Sequence, residues 1–184
     1  MPSARISKSY SLGSLIGLAD IITILNAVSG FFSIIFSFAG HFNYAFGMLV
    51  LAFVFDSVDG ILARSRKTLT SSRKFGVQMD SLADVISFGL APALIVYLMN
   101  PSSLSVLAGV LYLSSGMIRL ARFNILPLRG IFVGFPIPTI VLVLPLFFLF
   151  RVSPAYYPWL LIALSALMNV PIAVPKPKIK IPKA

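Results

Sequence analysis

Residues 77–99 read VQMDSLADVISFGLAPALIVYLM, and their only charged side chains are those of Asp80 and Asp84. A helix needs about 20 mostly apolar residues to cross a bilayer. The stretch meets that requirement, so we predict that it is a membrane helix with two acidic side chains near one end.

The composition of the whole chain extends this prediction. Its 184 residues are 58% hydrophobic and 11% charged, whereas an ordinary soluble domain is about 25% charged. A soluble fold of this size could not bury so much apolar surface, so lipid must cover much of it. The absence of cysteine excludes disulfides, zinc–thiolate sites and thiol nucleophiles. The net charge of +10 suits loops that meet anionic lipid headgroups better than nucleic acid.

We predict an all-α fold, a polytopic bundle of six membrane helices that makes residues 1–184 a single membrane domain. A short segment, 1–14, precedes the bundle and is not expected to be a cleaved signal peptide. A Lys/Pro-rich tail, 175–184, follows it. The predicted spans are residues 21–39, 43–62, 77–99, 104–122, 131–150 and 156–174.

The basic residues predict the orientation of these spans. If the N-terminus is inside, every Lys and Arg except Arg151 falls on the cytoplasmic side. Lys and Arg are enriched in cytoplasmic loops. Both termini are therefore predicted to be cytoplasmic, in a multi-pass protein of the plasma membrane.

All five acidic residues are aspartates, and four of them lie near the cytoplasmic ends of spans two and three. Asp56 and Asp59 are three residues apart, about 4.5 Å along a helix axis, and Asp80 and Asp84 are four apart, about 6 Å. Each pair therefore shares one helical face. Because the two spans are antiparallel neighbours, the two acidic faces can meet at one depth.

Such a cluster needs compensating positive charge. An aspartate in the middle of a membrane costs about 3 kcal/mol, and four close carboxylates repel one another. Two divalent cations would cancel the charge and suit hard oxygen ligands. We therefore predict a site for two Mg²⁺ or Mn²⁺ ions, facing the cytoplasm.

The spacing of these residues resembles the signature of the CDP-alcohol phosphotransferases. The signature is formed by residues 56–64, DSVDGILAR, and residues 76–84, GVQMDSLAD. Residues 65–75 separate the two halves, more than the family usually places there, but extra loop residues cost little. Residues 75–93, 119–124 and 134–138 are further similar to the branch that transfers a phosphatidyl group from CDP-diacylglycerol to serine.

The resemblance implies a transferase of phospholipid biosynthesis. Its donor would be CDP-diacylglycerol or CDP-archaeol, its acceptor the hydroxyl of L-serine, and its released product CMP. The implied metal ligands are Asp56, Asp59, Asp80 and Asp84, of which Asp84 would also be the general base. The implied nucleotide site consists of Asp59, Gly60, Ala63, Arg64, Gly76 and Asp80.

Further polar residues are assigned to the same site. Contacts to the acceptor or its phosphate are predicted for Arg119, Arg122, Ser87 and Asn124. The two arginines lie three residues apart at the cytoplasmic end of span four, where one could hold the serine carboxylate, although both could be ordinary interface anchors. Thr23 and Asn26 of the first span match the family loosely. Asp20 stands where the family tends to have Asn, and it could contact a loop cation or mark the water interface.

Two alternatives stay open. The same chemistry could use glycerol phosphate or inositol phosphate as the acceptor, although a phosphorylated acceptor needs a denser basic pocket. A small cation transporter could also collect membrane aspartates. It would be expected to place polar residues through the full membrane depth, and the outer halves of the spans are almost wholly apolar. A homodimer is expected from the resemblance alone.

Overall fold

The computed structural model describes residues 16–65, 70–125, 131–133, 135–170 and 173–175, which are almost entirely helical. A π-helix, Val85–Leu90, joins α3 to α4, so residues 70–99 form one continuous helical segment. Short 3-10 turns, Ile137–Thr139 and Pro154–Tyr156, precede α6 and α7. The α-helices are α1 Leu18–Phe38, α2 Phe42–Ser65, α3 Thr70–Asp84, α4 Ala91–Met99, α5 Ser103–Ile125, α6 Ile140–Leu149 and α7 Tyr157–Asn169.

In the described part of the chain, four helical segments are long and apolar enough to cross a membrane, namely Leu18–Phe38, Phe42–Ala63, Ser72–Met99 and Ser103–Ile125. They coincide with the first four predicted spans. Large apolar side chains such as Phe31, Leu107 and Ile118 are exposed on these helices, as expected of surfaces that contact lipid. The prediction of a helical membrane protein is confirmed. Because α6 and α7 are shorter, a total of six spans stays a prediction.

The predicted fifth and sixth spans are wrong at their ends. The fifth was expected to begin at residue 131, but Ile131–Val133 form strand β1, which pairs antiparallel with β2, Ala173–Pro175. Pro136 and Pro138 lack a backbone N–H, so the regular helix begins only after them. The sixth was expected to reach residue 174, but α7 ends at Asn169, shortly before Pro171 in the sequence. Among the residues that the structure describes, this short two-stranded ladder is the departure from an all-α fold.

The first two helices form an antiparallel hairpin. At the start of α1 the backbone N–H of Gly17 donates to Asp20 Oδ2 at 2.6 Å, which satisfies a donor that the helix leaves unpaired. After α1 the chain reverses at Gly40, whose φ of 75° is a left-handed conformation that glycine adopts without steric cost. The start of α1 and the end of α2 therefore lie at the same end of the bundle.

Small and polar side chains hold the helices together in the interior. Ser87 Oγ of the π-helix donates to Asn26 O of α1 at 2.9 Å. At the same contact, a Cβ added to Gly30 would lie 2.6 Å from Ser87 Cα. Tyr112 of α5 is fully buried, and its hydroxyl lies 2.9 Å from Phe88 O. Close backbone approach through small residues is typical of membrane helix packing, and here it fixes α1 and α5 against the segment that follows Asp84.

Candidate active site

Asp56 of α2 and Asp80 and Asp84 of α3 form a group of three carboxylates, which we call the acidic triad. One carboxylate oxygen of each lies within 4.8 Å of the other two. The carboxyl groups of Asp56 and Asp84 are within hydrogen-bonding range of each other. Asp84 is only 6% exposed, and the other two are half-buried. The triad forms because α2 and α3 are antiparallel and each presents one face to the other.

The acidic triad has the donor set that a divalent cation requires. Carboxylate oxygens are hard ligands, which suit Mg²⁺ and Mn²⁺. Close carboxylates shielded from water repel one another strongly, so a bound cation would relieve the repulsion that this geometry creates. The structure therefore supports a cluster able to bind metal.

Asp59 lies beside the triad and not within it. Its side chain is 3% exposed, and its Oδ2 accepts a hydrogen bond of 2.5 Å from Thr23 Oγ1. The sequence predicted that all four aspartates converge on one point. The structure instead joins three of them and directs the fourth toward α1, where a hydroxyl donor satisfies it. Asp59 as a metal ligand stays a prediction.

A cavity of about 230 Å³ opens between α1, α2 and α3. Its lining includes five of the six residues that the resemblance assigned to a nucleotide, namely Asp59, Gly60, Ala63, Gly76 and Asp80. The side chain of the sixth, Arg64, lies outside the described part of the chain. Asp80 belongs both to the cavity wall and to the acidic triad. The two features are therefore halves of one site.

Two charged residues in the cavity wall, Asp20 and Arg73, were not assigned to the site from the sequence; nor were Ala19, Ser72 and Val77. Arg73 precedes Gly76 by three residues, which places both on one face of α3, and it lines the cavity. The three-residue spacing from Gly76 could have identified Arg73 from the sequence. Asp20 also lines the cavity and is 7% exposed, so it is a buried part of the cavity wall.

Arg119 of α5 lies near Asp84. It is 7% exposed, and it is close enough to Asp84 and Arg122 for their charges to interact. Within the described part of the chain, Arg119 Nε and Arg122 Nη2 are buried without a hydrogen-bond partner. Buried guanidinium groups normally bind acceptors, so this pair has capacity for an anionic ligand.

The remaining predicted residues contact the protein itself. Ser87 is fully buried and donates to Asn26 O, so its hydroxyl proton is engaged in helix packing. Asn124 Nδ2 donates to Ser81 Oγ at 2.9 Å and links α5 to α3. Asn26 Nδ2 lies 3.5 Å from Asp84 Oδ1. The first-span residues Thr23 and Asn26 therefore each touch one of the aspartates.

Residues 16–171 match the family model for CDP-alcohol phosphatidyltransferase. The fold and the site define a class of helical membrane protein in which two helices contribute aspartates to one site. The family match identifies this class as a transferase, and the chain belongs to the CDP-alcohol phosphatidyltransferase family. The resemblance seen in residues 56–84 is confirmed. Membership also decides between the enzyme and the cation transporter in favour of the enzyme.

Three relatives illustrate where the chain stands within the family. An archaetidylserine synthase of Methanothermobacter thermautotrophicus is 40% identical over 170 residues, which cover 89% of this chain and 71% of the relative. A CDP-diacylglycerol–serine O-phosphatidyltransferase of Methanocaldococcus jannaschii is 36% identical over 135 residues, 73% of this chain and 62% of the relative. The enzyme of that name from Saccharomyces cerevisiae is 37% identical over 124 residues, 63% of this chain and 44% of the relative. The chain thus spans less than two thirds of the length of the last two.

Proposed function

We propose that this protein transfers the phosphatidyl or archaetidyl group of a CDP-activated lipid to the hydroxyl of L-serine and releases CMP. The proposal depends on the position of Asp80, which belongs both to the acidic triad and to the wall of the cavity. A pyrophosphate at the triad would place the attached nucleoside in the cavity. Serine as the acceptor is supported by the names of the relatives.

We assign Asp56, Asp59 and Asp80 as the residues that would hold two divalent ions, Mg²⁺ or Mn²⁺, and Asp84 as a further ligand. Such ions, when bound, neutralise the pyrophosphate and the charge that develops during phosphoryl transfer. Asp59 retains its hydrogen bond from Thr23 and can offer its other oxygen. The small residues Gly60, Ala63 and Gly76 leave room for the nucleotide between the helices, and Arg64 is assigned to a phosphate.

Asp84 is the proposed general base. The serine oxygen attacks the lipid-side phosphorus, the bond from that phosphorus to the CMP oxygen breaks, and CMP leaves with the electron pair. Asp84 takes the proton of the serine hydroxyl as the new bond forms, because an alcohol becomes acidic only as it attacks. The amide of Asn26, 3.5 Å from Asp84 Oδ1, orients the carboxylate for this step.

Arg119 is the proposed ligand of the serine carboxylate. A guanidinium can bind a carboxylate through two parallel hydrogen bonds, and Arg119 is buried next to Asp84 with Nε unpaired within the described residues. Serine held there would direct its hydroxyl toward the base. Arg122 would add positive charge to this acceptor pocket. Acceptor contacts by Ser87 and Asn124 stay predictions.

We further propose that residues 1–184 act as one six-span domain of the plasma membrane, with the site and both termini on the cytoplasmic side. The distribution of basic residues supports this orientation. Single cysteines introduced at Ser3 and Ser153 would test it, because a membrane-impermeant maleimide added to intact cells should label only position 153. A homodimer is expected from family resemblance, and light scattering of the purified protein would check it.

The function is tested with purified protein in lipid nanodiscs. CDP-diacylglycerol or CDP-archaeol is supplied with Mg²⁺ or Mn²⁺ and one acceptor at a time, either L-serine, glycerol phosphate or inositol phosphate. We expect CMP release and a new lipid product with serine alone, and loss of both on chelation. Reaction with a phosphorylated alcohol while serine is inert would overturn the acceptor. Full activity after exhaustive chelation would overturn the metal site.

A further inference from the structure

Asp20 is the acidic residue for which the proposed reaction has no task. It lies in the first turn of α1 and is 7% exposed. Its Oδ2 is engaged, because it accepts the backbone N–H of Gly17 at 2.6 Å. This bond fixes the orientation of the carboxylate and leaves Oδ1 as the oxygen that can meet a ligand.

The second oxygen of Asp20 is directed across the cavity toward α3. A Cβ added to Gly76 would lie 3.0 Å from Asp20 Oδ1, so the carboxylate occupies space that a larger residue at 76 would take. Both residues line the cavity. Oδ1 therefore lies at the cavity wall, where a ligand hydroxyl or amine could donate a hydrogen bond to it.

The position of Asp20 relative to α3 indicates which part of a nucleotide would lie there. Asp20 Oδ1 faces Gly76, which precedes Asp80 by four residues, about one turn of α3. Asp20 therefore lies about one helical turn along the cavity from Asp80 and the acidic triad, where the pyrophosphate is proposed to bind. A carboxylate would repel phosphate, so its partner must be a donor on the nucleoside. The ribose comes next after the pyrophosphate, and its two hydroxyls are such donors.

We propose that Asp20 is a specificity-determining residue that accepts a hydrogen bond from a ribose hydroxyl of the cytidine nucleotide. Acidic side chains select ribose in the same way in dinucleotide-binding folds. The inference rests on the proposed function, because it requires a nucleotide in this cavity. In this role, Asp20 at the start of α1 would let the enzyme distinguish a ribonucleotide from a nucleotide whose sugar lacks the ribose hydroxyls.

The substitution Asp20→Asn isolates the second oxygen of this side chain. The amide oxygen of asparagine can still accept the Gly17 N–H, which preserves the start of α1. The NH₂ group then replaces Oδ1 and presents a donor where the ribose needs an acceptor. An unchanged melting temperature of the variant in detergent verifies that the fold is retained.

Binding of soluble nucleotides in detergent with Mg²⁺, measured by calorimetry, tests the proposal without turnover. The probes are CDP, 2′,3′-dideoxy-CDP, which lacks both ribose hydroxyls, and UDP, which changes only the base. We expect the wild type to bind CDP about ten- to a hundredfold more tightly than the dideoxy nucleotide, as is typical of a hydrogen bond to a charged group. Asp20→Asn should lose most of that preference and leave the CDP-to-UDP ratio unchanged.

Each other outcome has its own meaning. Equal binding of CDP and dideoxy-CDP by the wild type overturns the role of Asp20 and leaves the proposed function intact, even if the variant cannot be purified. A variant that retains the ribose preference and changes the preference for UDP shows that Asp20 contacts the base, which also overturns the inference. If the wild type binds no CDP in the presence of Mg²⁺, the proposed function itself is wrong.

Discussion

Thr23 of α1 donates a hydrogen bond of 2.5 Å to Asp59 Oδ2 of α2, across the wall of the cavity. The same hydroxyl lies 3.1 Å from Ala19 O, but its one proton can serve only one acceptor at a time. A charged acceptor binds more strongly than a neutral carbonyl. The bond to Asp59 should therefore dominate, and it explains why Asp59 points into the cavity and not into the acidic triad.

Thr23→Val should weaken binding of the CDP-lipid. Valine retains the shape of threonine and removes the donor, so Asp59, which is 3% exposed, loses a partner and its orientation. We expect the KM for the CDP-lipid to rise about tenfold, the typical effect of one charge-assisted hydrogen bond. Thr23→Ser is the matched control, because it retains the hydroxyl and should stay near wild type. Equal KM values in both variants would remove Thr23 from the site.

Asp80→Asn should abolish turnover. Asp80 is shared by the acidic triad and the cavity, so an amide there removes one negative charge from the metal-binding group and leaves the volume unchanged. CMP release in nanodiscs, compared at saturating Mg²⁺, measures the effect. Gln78→Asn is the control, since Gln78 is exposed on the same helix. Normal rates in Asp80→Asn would exclude Asp80 from the metal site.

Arg119→Lys should impair serine binding selectively. Lysine retains the positive charge beside Asp84 and loses the planar pair of donors that matches a carboxylate. We expect the KM for serine to rise by about tenfold or more, with the KM for the CDP-lipid unchanged. A parallel rise of both constants would mean that Arg119 acts on the packing of α5 and has no contact with serine. Arg151→Lys is the control, because it makes the same arginine-to-lysine change at an exposed position before α7.

The sequence predicted the part of the fold that depends on apolar length. Residues 77–99 and the other three long spans are continuous apolar runs whose helices can be read from composition alone. It could not predict the ends of the shorter helices. There Pro136, Pro138 and the pairing of Phe132 with Val174 decide the backbone, and a strand pair joining residues so far apart in sequence leaves no local pattern.

Helical periodicity accounts for the part of the acidic triad that lies on α3. The four-residue spacing of Asp80 and Asp84 brought both carboxylates to one face, as expected. The position of Asp59 could not be predicted in the same way, because it depends on a hydroxyl from another helix, Thr23. Asp20 was left without a role because its burial arises from the approach of α1 to α3 at Gly76, a contact between helices that no spacing within α1 reveals.

Gly30→Ala should destabilise the fold, whereas Gly47→Ala should not. A Cβ at Gly30 would lie 2.6 Å from Ser87 Cα and closer still to Ser87 Oγ, whereas a Cβ at Gly47 would have no atom of the described neighbouring residues within 4 Å. The first change therefore forces α1 away from the π-helix and should cost about 1–3 kcal/mol. The second places a better helix former on an exposed face and should be neutral or stabilising by up to about 1 kcal/mol. Melting temperatures in detergent compare the two. A Gly30→Ala protein as stable as Gly47→Ala would mean that α1 and the π-helix do not pack as closely as Ser87 and Asn26 indicate, and the bond from Asn26 to Asp84 would have to be reconsidered.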